Sequence, residues 1–441
     1  MRQETLTVVA RVGAGVHLSA LHAALKALSE DALPGAGARP RLFAHAELRI
    51  HFARLALLEE PPGSAYAPLL VLESNFDTEW DDAAAARKAH LELLCSTVGG
   101  PLLSAFEYCA GFGPELAPPE LARALERNLA LATAAYQGHT LRDLGRIRLE
   151  QRLRDVLLDF CSAAPQSTPR ELYHAAREHV RLLTATDPLL AGLNLDAPMP
   201  PLPSAVARTL SLNEGYWAWI KNLSFGLIVF VLRQLRNILR WQKSDPQFEQ
   251  RAEQEAWTNE DRCRFIEIAD TEDHALQNAL THIVPLKDAN RLAVLLAAHG
   301  YIDVMAKRYF DDIGQLGGIP SIHFAKWLLI DDNQRLMFLT NYDSSWESYL
   351  GDFVDHAPVG LNLAWVCTHH YPRTALLVFF GATDEERFKA WSRAHQRPTQ
   401  VFYTAYPELS IAALNNNTWI RCGLHHAPGA IDLRAWFRRI T

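Results

Sequence analysis

The chain has 441 residues, 49% hydrophobic and 21% charged, a composition that excludes wholesale disorder and supplies enough material for two or three domains. With 43 Lys and Arg against 50 Asp and Glu, the formal charge is −7, so no chain-wide basic field points to nucleic acid. The six scattered cysteines (Cys95, Cys109, Cys161, Cys263, Cys367 and Cys422) form no C-x-x-C pair, which argues against a disulfide framework and against structural zinc.

Residues 1–12 hold no apolar run of signal-peptide length and begin a strand almost at once, so a cytoplasmic chain is expected. Leu6–Val12 alternates as a strand, and Leu18, Leu21, Leu25 and Leu28 have helical spacing. Ile50–Leu58 and Leu69–Asn75 read as a hairpin, Glu79–Thr97 as an Ala-rich helix and Leu103–Ala110 as a closing strand. From Glu120 to Asp270 the pattern is helical and charged, broken by the Pro-rich Pro198–Pro203. Inside this region lies the longest apolar stretch, Leu223–Leu232, well short of the roughly 20 residues that span a bilayer. Tyr216, Trp217, Trp219 and Lys221 precede it, and Arg233, Arg236, Arg240, Trp241 and Lys243 follow. Such edging suits either a helix at a membrane interface or a helix buried between domains.

The β-α-β-β-α-β order then returns: Leu280–Leu286, Asn290–Phe310, Ile322–Ile330, Leu336–Asn341, Ser344–His356 and Leu363–Thr368. Thr78-x-x-Asp81 and Ser344-x-x-Glu347 predict matching helix starts. Beyond the second set, Ala375–Gly381 and Val401–Ala405 read as strands, Thr383–Gln396 as a helix, and Asn415–Asn417 as the opening of a last segment.

The second set repeats landmarks of the first. Ile50–Leu57 (IHFARLAL) matches Ile322–Leu329 (IHFAKWLL), and Leu70–Asp77 (LVLESNFD) matches Met337–Asp343 (MFLTNYD). Trp80 and Trp346 follow, and Cys109–Pro114 corresponds to Cys367–Pro372. The longer loop Glu59–Tyr66, against Asp331–Gln334, absorbs the difference in spacing. This is an internal duplication. The fold class expected is α+β: two ferredoxin-like β-α-β-β-α-β repeats at 1–118 and 271–374, with a helical insert at 119–270 and an α/β extension at 375–441. Two such sheets bury their free faces only against each other or against a partner.

Candidate functional residues come from the repeated positions. On an alternating strand His51 shares a face with Ala53 and Leu55, and Phe52 shares the other with Arg54; His323 and Lys326 are placed the same way. An imidazole and a cation then line one cavity only if a bulge intervenes. His51 and His323 read either as buried hydrogen-bonded histidines or as ligands and acid/base groups. Arg54 and Lys326 read as partners of a carboxylate or of a bound anion. Asn75, Asp77, Asn341 and Asp343 stand where caps are common, with site duty as the alternative for Asn75 and Asn341. Cys109 and Cys367 read as packing residues. His369 and His370 occupy a loop beside Tyr371 and Arg373, with His282 also available and Gly317-Gly318 leading into the strand of His323. No P-loop, dinucleotide fingerprint, H-E-x-x-H or G-x-S-x-G occurs.

Tandem ferredoxin-like units in one chain resemble the dimeric α+β barrel superfamily of dye-decolorizing peroxidases and chlorite dismutases. The resemblance covers residues 1–115 and 275–370 at the level of topology; the Gly-x-x-Asp-Gly element of dye-decolorizing peroxidases is absent, since the chain has no Asp-Gly dipeptide. It implies haem held through a second-copy histidine, His323 or His369, with His370 and Arg373 nearby and Arg54 or Lys326 beside a propionate or anionic substrate. The function expected is a haem-binding, peroxidase- or oxygenase-like oxidoreductase acting on a small lipophilic molecule, peripheral at the inner membrane face. The alternative is a non-catalytic membrane-edge or partner-binding scaffold. Self-association into a homo-oligomer is left open, and no nucleic acid is expected.

Overall fold

The computed structural model describes residues 1–33, 39–60, 64–138, 141–163, 168–197, 259–272, 274–306, 316, 318–426 and 431–441. Pro198–Pro203, Leu223–Leu232 and Gly317 lie outside them. The chain is mixed α+β with antiparallel sheets. In the first half come β1 (Arg2–Arg11), α1 (Leu18–Glu30), β2 (Ile50–Leu58), β3 (Leu69–Thr78), α2 (Ala83–Phe106) and α3 (Pro118–Arg127). Then follow β4 (Ala132–Gln137), α4 (Leu144–Ala163), α5 (Pro169–Leu183) and α6 (Asn259–Thr271). In the second half come β5 (Gln277–Pro285), α7 (Ala289–Met305), β6 (Ile322–Ile330), β7 (Arg335–Asp343), α8 (Trp346–His356) and α9 (Pro358–Trp365). The chain closes with α10 (Glu385–His395), β8 (Gln396–Arg397), β9 (Val401–Thr404), α11 (Ile411–His425) and α12 (Leu433–Ile440).

The first sheet runs β1-β3-β2-β9 and the second β8-β5-β7-β6-β4. β2 and β3 are buried on both faces, which is why they read as near-continuous apolar runs. Leu55, Leu57, Leu70 and Leu72 face α1–α3. Ala56, Leu58 and Val71 instead meet Ile283, Leu328, Ile330, Met337 and Leu339 of the second sheet. Helices α7–α10 cover the far face of that sheet, so the layers run helix, sheet, sheet, helix. A separate core joins α4 and α5 to α11 and α12 through Leu153, Leu157, Tyr173, Ile420 and Trp436.

Five expectations need correction. The closing strands at Leu103–Ala110 and Leu363–Thr368 are instead the ends of α2 and α9 followed by turns. Only the single bridges Val12–Cys109 and Leu286–Thr368 mark the edge positions expected for them. The region 119–270 is not wholly helical, because β4 lies in it and pairs with β6, Ala135 opposite Lys326. In return β9, from the C-terminal extension, pairs with β2, Phe402 opposite Arg54. Each half therefore supplies an edge strand to the other half's sheet. Caps also shift: Asp82 accepts from Ala85 N at 2.7 Å and Ser345 from Ser348 N at 3.2 Å, in place of Thr78 and Ser344. Ala375–Gly381 forms a tight hairpin of two-residue pieces, Thr374–Ala375 with Phe379–Phe380. The Asn triplet lies within α11, where Asn415 accepts from Arg142 at 2.7 Å.

The exchanged strands leave their sheets by matched bonds, Gly138 N to His323 O at 2.7 Å and Ala405 N to His51 O at 2.9 Å. A Cβ at Gly138 would lie 2.3 Å from Ile322 O, so this crossing requires glycine. Gly138→Ala is expected to cost about 1–3 kcal/mol of stability and Ala405→Gly at most about 1 kcal/mol, measured by denaturant unfolding.

Candidate functional site

The duplicated IHFA strands carry a bulge that alternation does not reveal. Register shifts between Ile50 and Phe52 in β2, and between Ile322 and Phe324 in β6. The extra residue turns each histidine onto the side of its phenylalanine and cation. Phe52 lies 4.9 Å from the His323 ring and Phe324 lies 5.9 Å from the His51 ring, centroid to centroid. Histidine and cation therefore share the inter-sheet face, contrary to strict alternation. That face is packed, not hollow: Phe52, Phe324, Leu144, Ile147, Tyr406 and Leu414 form one buried cluster.

Each histidine is part of a bracket. His51 Nε2 lies 2.8 Å from Asp77 Oδ1, and His323 Nε2 lies 2.7 Å from Asp343 Oδ1. The second oxygens accept from Leu144 N at 2.8 Å and Ile411 N at 2.7 Å, the first residues of α4 and α11. Gln3 donates to Arg142 O at 3.0 Å and Gln277 to Leu409 O at 2.7 Å, each 3.4 Å from the matched histidine Nε2. The aspartates do cap, but they cap helices far along the chain. A carboxylate at a helix start favours both the orphan amide and the dipole. Tyr406 adds its hydroxyl 3.0 Å from His51 Nδ1, and burial pushes that hydroxyl well above its usual range. A Tyr–His–Asp chain is a familiar catalytic arrangement, yet here all three are buried and the carboxylate already holds a helix.

Between the brackets the two sheets share one carboxylate. Glu73 pairs with Arg54 of its own sheet and, at 3.1 Å, with Lys326 of the other. Arg54 crosses to the second sheet, donating to Leu280 O at 2.9 Å, Thr281 Oγ1 at 3.1 Å, Thr340 O at 2.8 Å and Asn341 Oδ1 at 2.6 Å. Lys326 crosses the opposite way to Thr5 Oγ1 and Leu6 O. Asn75 donates to Glu73 at 3.2 Å, so the two asparagines serve opposite charges, one by its amide and one by its carbonyl. Burial lowers the Arg54 and Lys326 pKa values, and Glu73 offsets only part of this. Burial alone would raise the Glu73 carboxyl, but Arg54, Lys326 and Asn75 together hold it below its usual value near 4.5. Sequence reading did not select Glu73, whose matched position is Leu339. The available signal was an acid inside the buried strand Leu69–Thr78, two residues from Asn75 and so on its face.

His369, His370 and Arg373 do not join this constellation. His369 N bonds to Pro285 O at the end of β5, whereas His323 sits beside Gln277 at its start. At about 3.3 Å per residue the two are roughly 26 Å apart along the strand, so they cannot ligate one metal. His282 lies on the helix side, 3.0 Å from Ser392 Oγ, and burial drives its pKa well below the usual value. Burial likewise pushes Cys109 and Cys367 up to about 12, as packing residues. Haem at His323 does not fit. Nε2 is bonded to Asp343, and Phe52 at 4.9 Å and Tyr406 at 6.0 Å pack against the ring where a porphyrin would stand. Among the described residues no group of three or more His, Cys, Asp or Glu is arranged to hold a metal, and no helix is long and apolar enough to cross a membrane.

One accessible groove lies at an edge of the sandwich. Where Phe402 stands opposite Arg54 and stacks 6.3 Å from Phe52, the matched residue opposite Lys326 is Ala135. A groove of ≈ 450 Å³ opens there between β1 and β4, with Lys326 at its base and Gln3, Thr5, Arg87, Gln137 and Asp303 on its walls. Both strands end their sheets. No known protein family, curated protein or solved structure matches the chain.

The lowered Glu73 pKa has a definite sign. Its contribution to stability is complete above the usual value near 4.5 and is lost as pH falls below it. Glu73→Gln should cost about 3–5 kcal/mol at neutral pH by leaving two buried cations without their carboxylate. The same variant should show a shallower loss of stability than the wild type below pH 4.5, measured by urea unfolding across pH.

Proposed function

We propose that this chain is a non-catalytic, partner-binding scaffold whose groove over Lys326 receives an extended peptide segment. The observation that carries the reading is the replacement of Phe402 by Ala135 at the matched position, which clears space beside two sheet edges. Along β1 the segment Asn128–Ala130 already bonds Val9 N and Thr7 O, both at 2.9 Å, but nearer the groove side chains hold the outward backbone groups: Thr5 N by Glu4 at 3.0 Å, Ala135 N by Asp303 at 3.2 Å, and Gln3 O by Gln137 at 3.3 Å. Side-chain caps of this kind can swing aside, and an incoming strand replaces them with main-chain bonds. Arg2 and Arg87 both pair with Glu4 at 3.2 Å at the rim, giving the groove charges of both signs. The residues first suspected of chemistry support a scaffold, since all six are buried: His51, His323, Arg54, Lys326 and Asn341 make bonds that join sheets and helices, and Asn75 supports Glu73 within its own strand.

The matched brackets, bulges and exchanged strands also support reading the two halves as duplicated ferredoxin-like units, with pairing transferred to the opposite edge of each sheet. On this reading duplication built a rigid frame, and divergence at one position opened it for a partner.

Selection of short peptides from a random display library tests the proposal. Binders of micromolar affinity should emerge whose affinity falls at least about tenfold in Ala135→Phe, with the melting temperature unchanged. Failure to select any binder, or equal binding by Ala135→Phe, would count against it. A stoichiometric Soret band on haemin titration, lost in His369→Ala, would return the chain to the haem class.

A further inference from the structure

The second half carries an apolar tip that the scaffold reading does not use. In the hairpin Thr374–Phe380, Leu376 is 50%, Phe379 57% and Phe380 67% exposed. Leu376, Leu377 and Phe380 all have positive φ, at 52°, 67° and 61°, in a region that side-chain-bearing residues rarely adopt. Such backbone persists only when its surroundings over-determine it. The determinant is Asn362 of α9, which is fully buried. Its amide donates to Val378 O and Phe380 O, both at 3.0 Å, and its carbonyl accepts from Ala382 N at 3.0 Å and Tyr371 OH at 2.9 Å. Gly381 completes the turn at φ 61°, where a Cβ would lie 2.2 Å from Asn362 Oδ1. The fold thus holds two phenylalanines and a leucine outward through a saturated buried amide.

We propose that this tip inserts into the interfacial region of a lipid bilayer. The exposed parts of the three side chains amount to roughly 300 Å², far below the about 800 Å² per partner that a stable protein interface buries. A bilayer needs no complementary pocket and accepts a small convex apolar wedge. A second, independent pointer is the sequence Leu223–Leu232, an apolar run edged by Trp217, Trp219, Arg233, Arg236 and Trp241, the residue types that favour the head-group boundary. Arg373 precedes the hairpin, but Asp384, Glu385 and Glu386 follow it and are exposed. The lipid contact is therefore apolar and does not depend on anionic head groups.

Flotation of the full chain with phosphatidylcholine vesicles, with and without phosphatidylserine, tests this. The wild type should float with both, and Phe379→Ser/Phe380→Ser should partition at least about tenfold less while melting at the same temperature. Leu376→Ser should fall between them. A wild type that stays with the soluble fraction, or a double variant that floats equally well, would overturn the proposal. So would self-association of the wild type, in the absence of lipid, that the double variant abolishes, because the tip would then be a contact between copies.

Discussion

A single carboxylate faces two cations that arrive from opposite sheets, and the register of the whole sandwich follows from it. Arg54 reaches four acceptors on the second sheet, and Lys326 reaches Thr5 and Leu6 on the first. Sliding either sheet by one residue would strand both cations in an apolar layer of Leu, Val, Ile and Met. Buried ion pairs contribute little net stability, because desolvation offsets attraction. Their effect here is on which packing is allowed, since misregistered alternatives leave charge uncompensated.

The brackets extend the same constraint to the helices. Asp77 and Asp343 tie a sheet to the first residues of α4 and α11, and these helices meet through the chain Arg142–Thr418–Glu150. Burial lowers the Arg142 pKa to about 10. Polar residues inside the sandwich therefore act as struts between elements distant in sequence. Function, on the proposed reading, lies where a strut was left uncovered: Ala135 exposes the surroundings of Lys326, whereas Phe402 seals those of Arg54.

Much of the local structure was legible because buried strands and amphipathic helices leave periodic traces. The IHFA strands, their hairpin partners and the acidic start of α10 fall where pattern and capping place them. What was not legible depends on pairing across long sequence separations. Leu103–Ala110 and Leu363–Thr368 are short apolar runs, and periodicity alone does not separate a buried strand from a buried helix. β4 and β9 gain their partners by exchange, for which no local signal exists. The bulges at His51 and His323 changed the site most. One unpaired residue moved each imidazole from the helix side to the inter-sheet side, which joined histidine, phenylalanine and cation in one layer.

Equilibrium unfolding of Glu73→Leu beside the triple variant Arg54→Met/Glu73→Leu/Lys326→Met tests the central claim most directly. If the carboxylate serves to compensate two buried cations, the single variant is severely destabilised and the triple recovers at least about 2 kcal/mol of that loss, short of the wild type because the acceptors that Arg54 and Lys326 served lose their donors. A triple variant no more stable than the single one, or a single variant as stable as the wild type, would contradict the account.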